Sequence, residues 1–168
     1  MPKLSTLAST AALALLAATA LTGCSIVGDL LGDPGSAVRD EEGQVVEPGD
    51  VDVFSLAIGD CFDDEGTGDQ ISSVPIVPCA DPHDNEVYHE FEVADGEYPG
   101  DEAIAAQADE GCLGAFAGFV ALAYDESVLG YFPLTPTASG WEQGDRLVQC
   151  AIYEPDIKVT GTLKNAAR

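Results

Sequence analysis

The sequence predicts an α+β domain over residues 53–165, with a small antiparallel sheet of about five or six strands and one main helix. Three observations support this fold class. Short apolar segments with alternating polarity are typical of strands. One longer segment repeats apolar residues every three or four positions, as a helix does. Four cysteines fall in the same region, and they can form two disulfides that brace a modest core.

The first two predicted strands lie at residues 51–58 and 74–79. VDVFSLAI alternates between apolar and polar side chains, which indicates a strand with one buried face. The second segment, VPIVPC, contains two prolines, and proline cannot donate a ladder hydrogen bond. We therefore expect this second strand at an edge of the sheet.

The third predicted strand, residues 86–93, has the clearest alternation in the chain. We expect one face to be apolar and the other to be exposed to water. The apolar face holds Val87, His89, Phe91 and Val93, and the exposed face holds Glu86, Tyr88, Glu90 and Glu92. Three further strands are predicted at residues 127–136, 146–154 and 157–163, with a turn near residues 138–140.

A helix is predicted over residues 101–124, with Asp101 as its N-cap. Its core-facing residues are Ile104, Ala108, Cys112, Phe116, Phe119, Val120 and Ala123. Three glycines lie in this segment, at positions 111, 114 and 118, and each costs about 1 kcal/mol against alanine in a helix. We expect these glycines to allow close approach of the helix to the sheet.

The first 24 residues have the pattern of a bacterial lipoprotein export signal. A charged start with Lys3 precedes an apolar stretch, and Leu21-Thr22-Gly23-Cys24 matches a lipobox. The prediction is a signal peptide at residues 1–23 and lipidation of Cys24, with acyl chains such as palmitate. Several acyl chains anchor a protein stably to a bilayer. We expect the protein on the outer, extracytoplasmic face of the cell membrane.

Residues 24–52 are rich in Gly, Pro, Asp and Glu and lack periodicity, so we predict a flexible acidic tether there. A short tail is predicted at residues 166–168. The whole chain has 30 acidic and 6 basic residues and a net charge of −24. Such a charge repels phosphate backbones, which excludes nucleic acid as a partner and favours cations or a basic partner.

Four cysteines remain once Cys24 is assigned to lipid, and an even number in an oxidising compartment indicates two disulfides. Three pairings are possible. We favour Cys61–Cys79, which would join neighbouring strands, and Cys112–Cys150, which would tie the helix to a strand. A zinc site would normally show close CxxC pairs, and the sequence has none.

Several motifs together resemble the actinobacterial septum-formation domain family, whose members are small exported or membrane-anchored domains. The resemblance covers residues 54–163. It is carried by Gly59-Asp60-Cys61-Phe62, Val77-Pro78-Cys79, Pro82-His83, Glu86-Val87, Cys112, Tyr131-x-Pro133, Trp141-x-x-Gly144-Asp145-Arg146, Cys150 and Thr160-Gly161-Thr162-Leu163. The resemblance implies a function in division or envelope growth and brings no enzymatic activity or cofactor with it.

The stretch from Cys79 to Glu90 contains both histidines of the chain. We expect His89 in the core and His83 exposed on a turn, where nearby carboxylates would favour its protonated form. His83, Asp84 and Glu86 are the candidate interaction residues. The alternatives are a purely structural turn and a metal site on the same three residues. A calcium loop starting at Asp60 is disfavoured because its ligand spacing is irregular.

Trp141 follows a predicted turn, and core packing is favoured over carbohydrate stacking. We expect Arg146 to pair with an acidic side chain inside the fold. The resulting hypothesis is a non-enzymatic envelope lipoprotein that binds an envelope or division protein. The alternative is a metal-binding protein or a metal-dependent enzyme that uses His83, Asp84 and Glu86.

Overall fold

The computed structural model describes residues 37–64 and 73–168, and these form an α+β fold as predicted. The described strands are β1 Val38–Arg39, β2 Val45–Glu47, β3 Gly49–Asp52, β4 Cys61–Phe62, β5 Ser73–Val77, β6 Asn85–Glu92, β7 Gly130–Leu134 and β8 Leu147–Tyr153. Helix α1 spans Asp101–Val120 and helix α2 spans Ala138–Glu142. Short 3-10 turns occupy Val53–Ser55 and Tyr124–Glu126.

Six strands form one curled antiparallel sheet in the order β3-β5-β4-β6-β8-β7. Strands β1 and β2 form a separate small sheet. The longest pairing joins β6 to β8, and its register shifts between Val87 and His89, so Tyr88 is the extra residue of a β-bulge. Because of this bulge, side chains of β6 before and after Tyr88 do not keep a regular alternation between the two faces of the sheet.

Two apolar clusters lie on opposite faces of the six-stranded sheet. Successive residues of a strand point to opposite faces, and β8 shows this directly. Cys150 and Ile152 belong to the cluster beneath α1, whereas Ala151 belongs to the cluster beneath the β2–β3 segment. The sheet is therefore covered on both sides, by the helix on one and by β2 and the 3-10 turn after β3 on the other.

Helix α1 buries the stripe that its sequence predicts. Ile104, Ala108, Cys112, Phe116 and Val120 are all at most 1% exposed. The N-cap lies one position earlier than predicted, because Gly100 occupies it and Asp101 is already the first helical residue. The helix also ends earlier than predicted, at Val120, so Ala123 lies beyond it and is exposed.

Only one of the three helix glycines serves close packing. A Cβ on Gly111 would lie 2.4 Å from the ring of Phe91 on β6, so the helix approaches the sheet there. A Cβ on Gly114 or Gly118 would meet nothing within 4 Å. The predicted packing function is confirmed for the first glycine and is wrong for the other two.

Three strand predictions need correction. Residues 51–58 form a strand only through Asp52, after which the chain enters a 3-10 turn. Residues 157–163 form no strand; a single bridge links His83 to Val159. Strand β5 lies between β3 and β4 instead of at an edge. Pro75 is tolerated at this position because it lies opposite the residue that follows β4, where the regular strand pairing has ended. Its carbonyl oxygen accepts the N–H of Asp63 at 2.8 Å.

Both favoured disulfides are present. Cys61–Cys79 joins β4 to a cysteine two residues beyond the end of β5, and Cys112–Cys150 joins α1 to β8. Three of these cysteines, Cys61, Cys112 and Cys150, are fully buried. The second bridge therefore fixes the helix to β8, the strand between β6 and the edge strand β7.

The folded unit starts earlier and ends later than predicted. Residues 37–52, assigned to the tether, form β1–β3, and Arg39 makes a bidentate ion pair with buried Asp60 at 2.6 and 2.8 Å. The predicted tail is also packed, since Ala167 N donates to the carbonyl of Val120 and Arg168 pairs with Glu154 at 2.7 Å. Residues 24–36 of the predicted tether lie outside the described residues.

Within the described ranges, no helix has the length and apolar character needed to cross a membrane. The predicted signal peptide at residues 1–23 and the predicted lipidation residue Cys24 lie outside those ranges.

Candidate functional site

The bulge at Tyr88 breaks the face pattern predicted for β6. Val87 packs into the cluster beneath the first strands, whereas Tyr88 and Val93 pack beneath α1. Tyr88 donates its hydroxyl to the carbonyl of Cys112 at 2.6 Å, and burial raises its pKa well above the ordinary value. The predicted exposed face is therefore wrong at Tyr88 and at Glu86, which are 5% and 2% exposed.

His83 is fully buried, which contradicts its predicted exposure on a turn. Its backbone exchanges two hydrogen bonds with Val159, each 2.9 Å long, so the C-terminal segment covers it. Because the carbonyl of Asp81 can only accept, the Nδ1 atom of His83 donates to it at 2.8 Å. The Nε2 atom has no hydrogen-bond partner in the described part of the chain.

Glu86 is a buried carboxylate that holds the same C-terminal segment. It accepts the hydroxyl of Thr162 and the backbone N–H of Leu163, both at 2.6 Å. Burial raises the pKa of Glu86, and the two hydrogen bonds and the charges of His83 and Lys164 oppose that shift only partly. Glu86 thus links β6 to residues 162–163 through two hydrogen bonds.

Asp84 points away from the other two candidates. It accepts the N–H of Asp64 at 3.1 Å and lies 3.4 Å from Lys158, whose ammonium also contacts Asp63 at 2.7 Å. Asp64, Asp84 and Lys158 line a small hollow of about 340 Å³. Lys158 therefore already supplies a cation to these carboxylates.

His83, Asp84 and Glu86 do not converge on one surface site. Over residues 37–64 and 73–168, no group of three or more His, Cys, Asp or Glu side chains is arranged to hold a metal ion. The metal-binding alternative therefore gains no specific observation from the described residues. His89 is half-buried and stacks on Phe91, with ring centroids 5.9 Å apart.

Trp141 and Arg146 form a packed pair. Trp141 is 5% exposed, so the prediction of core packing is confirmed, and its indole N–H donates to the carbonyl of Gly96 at 2.9 Å. The Arg146 guanidinium lies 3.7 Å from the Trp141 ring centroid and 2.9 Å from Asp95. The predicted acidic partner of Arg146 is confirmed, but Asp95 lies on the surface.

A surface groove lies where β7 leaves the sheet, and we call it the edge groove. Its volume is about 1040 Å³, and it runs from the start of α1 past α2 to the 3-10 turn after β3. Its apolar lining includes Val53, Phe54, Tyr98, Pro133 and Leu147. Phe54 is 58% exposed, so the groove presents an aromatic ring to solvent.

The polar lining of the edge groove combines carboxylates and amides with the hydroxyls of threonine and serine residues. It includes Asp101, Gln143, Asp145 and Gln149. Tyr98 donates its hydroxyl to Asp101, a bond that raises the pKa of Tyr98. One oxygen of Asp145 accepts the N–H of Leu147 at 3.0 Å, whereas the other has no hydrogen-bond partner among the described residues.

The edge groove was not predicted from the sequence. Its walls come from residues 53–54, 98–104 and 133–149, which are far apart along the chain. The one available signal was Phe54, an aromatic residue that breaks the strand prediction at residues 51–58. Of the site residues that the sequence indicated, His83 and Glu86 belong to the interior, at the opposite end of β6 from the groove-lining residues of β8.

Together, these features define a disulfide-braced α+β domain with a large surface groove. The chain belongs to the septum-formation family, since the family model described as Septum formation matches residues 58–167. Membership of this family indicates a function in cell division at the envelope. Comparisons with curated proteins and with solved structures gave no match.

Proposed function

We propose that this protein is a lipid-anchored binding module of the bacterial cell envelope that acts in septum formation without catalysing a reaction. The family match supports the division context. The lipobox at residues 21–24 supports attachment to the outer face of the cell membrane through Cys24. Because the sequence resembles actinobacterial domains, the proposal should be tested in actinobacterial cells.

The edge groove is the observation that carries the binding function. Large pockets with a few polar groups are the usual ligand sites of proteins, and typical volumes are about 300–1000 Å³. The edge groove reaches about 1040 Å³ and carries an exposed aromatic residue. The Cys112–Cys150 bridge fixes the helix that forms one of its walls to β8, which forms another.

Imaging tests the function. A tagged full-length chain in growing actinobacterial cells is expected to concentrate at forming septa. The Cys24→Ala variant, which lacks the predicted lipid site, is expected to lose that pattern and to leave the membrane fraction. A uniform envelope signal from the unsubstituted chain would contradict a function in septum formation.

A further inference from the structure

The size and shape of the edge groove favour an extended ligand. Its volume of about 1040 Å³ is at the upper limit for small-molecule sites. Two prolines, Pro133 and Pro136, lie in its wall, where they restrict backbone motion. A preformed wall lowers the entropy cost of binding a flexible chain.

The charge of the edge groove selects the sign of the ligand. Asp101 and Asp145 line it, and no Lys or Arg is among its described lining residues. The neighbouring base, Arg146, is engaged by Asp95 and by the ring of Trp141. The net charge of −24 adds a long-range field of the same sign. The groove therefore attracts cationic groups and repels anionic ones.

Two features of the lining match a basic peptide. Asp145 is half-buried in the groove lining, where no described Lys or Arg side chain neutralises its charge. Phe54, at 58% exposed, offers a face for apolar side chains and for Lys or Arg through a cation–π contact. A neutral glycan could donate hydroxyl hydrogen bonds to these carboxylates but would leave their charge unneutralised.

We infer that the edge groove binds an extended basic peptide segment of an envelope protein, with cationic side chains at Asp101 and Asp145 and an apolar side chain on Phe54. This inference rests on the proposed function, because it assigns a partner chemistry to the same groove. It names the chemical class of the predicted division or envelope partner.

Fluorescence anisotropy with the purified full chain tests the inference. The probe is a short labelled peptide of Lys, Pro and Phe at physiological ionic strength, and its comparison has Glu at every Lys position. The basic peptide is expected to bind and the acidic one is not. The Asp101→Asn/Asp145→Asn variant keeps an oxygen at each position for the bonds to Tyr98 and Leu147. We expect it to weaken binding about 10-fold in total, since each of the two lost ion pairs is partly exposed to solvent and contributes modestly.

Matched controls separate the groove from general attraction to an acidic protein. Asp125→Asn/Glu126→Gln removes the same charge from exposed positions outside the groove, and its expected effect is less than about twofold. Phe54→Ala is expected to weaken binding about 10-fold. Its control is Val128→Ala, at an exposed position outside the groove. Thermal unfolding of each variant verifies that the fold is retained.

Three outcomes would overturn the inference. Equal weakening by the groove and control variants would assign the binding to general charge attraction. No binding of the basic peptide would also contradict it, as would binding of a neutral wall-glycan fragment that depends on Phe54. None of these outcomes bears on septal localisation, which the imaging experiment measures separately, so failure of the inference and failure of the proposed function are distinguishable.

Discussion

At the scale of single residues, the most informative group is the Glu86 carboxylate. It is 2% exposed and bonds two groups of the C-terminal segment, so its charge is stabilised mainly by those donors. Its alternating sequence context predicts a solvent-exposed position, and the tertiary contact with residues 162–163 reverses this. A buried ionised carboxylate costs free energy even when it is hydrogen-bonded, and its raised pKa reports that cost.

The first prediction concerns Glu86→Gln and pH. The folded state binds the Glu86 proton more tightly than the unfolded state, because burial raises the folded pKa above the ordinary value of 4.5. The free energy of unfolding contributed by Glu86 therefore falls as pH rises through that window. At acidic pH we expect Glu86→Gln to lower stability by about 1–2 kcal/mol, since its single acceptor oxygen cannot serve both donors. This deficit should shrink toward neutral pH.

Urea unfolding across the acidic to neutral range measures this difference. Glu92→Gln is the control, because Glu92 is exposed at the end of the same strand. A pH-independent difference between wild type and Glu86→Gln would mean that Glu86 does not carry a raised pKa.

At the scale of elements, helix α1 shows that glycines at similar positions of one helix can have different structural roles. Its three glycines look alike in sequence, yet only Gly111 meets the sheet. The bulge in β6 is a second case, since a single extra residue, Tyr88, moves the side chains on either side of it to different cores. Neither feature leaves a periodic signal, because both depend on which neighbour lies opposite.

The second prediction contrasts two of these glycines. Gly114→Ala is expected to raise the free energy of unfolding by about 1 kcal/mol, because it improves helix propensity without a clash. Gly111→Ala is expected to lower it by about 1 kcal/mol, since the cost of overpacking against Phe91 exceeds the propensity gain. Thermal or urea unfolding of both variants measures the contrast. Equal stabilisation by both would show that the Phe91 ring moves aside freely.

At the scale of the whole molecule, the segment before residue 53 completes the fold. Strand β3 pairs with β5, and Val45 belongs to the cluster on the face opposite α1. Arg39 neutralises Asp60, which is 4% exposed. The family match begins at residue 58, so these strands lie before the matched region while covering one of its core faces.

The third prediction concerns the length of the folded unit. A chain that starts at residue 37 is expected to unfold with the same midpoint as a chain that starts at Ser25. A chain that starts at residue 53 is expected to lose about 2–4 kcal/mol, because Asp60 loses its partner and an apolar face is uncovered. Equal stability of all three chains would show that residues 37–52 add nothing to the fold.

The sequence by itself determined the elements whose signal is local. The stripe of α1, the strands β6 to β8 within a few residues and the even set of four cysteines follow from periodicity and counting, and the favoured disulfide pairing is confirmed. These features depend on residues within one or two turns of each other, or on a small number of possible pairings. The excess of acidic residues in the sequence also determined that the surroundings of the groove are acidic.

Only the tertiary structure decided which polar residues are buried and where the groove lies. His83 is covered by Val159, and Glu86 bonds to Thr162 across 76 positions of sequence. Such long-range contacts leave no periodicity in the chain, since each side chain contributes a single contact. The edge groove likewise exists only where three distant segments meet. Burial and concavity depend on which residues pack together in the fold, so a local sequence pattern does not reveal them.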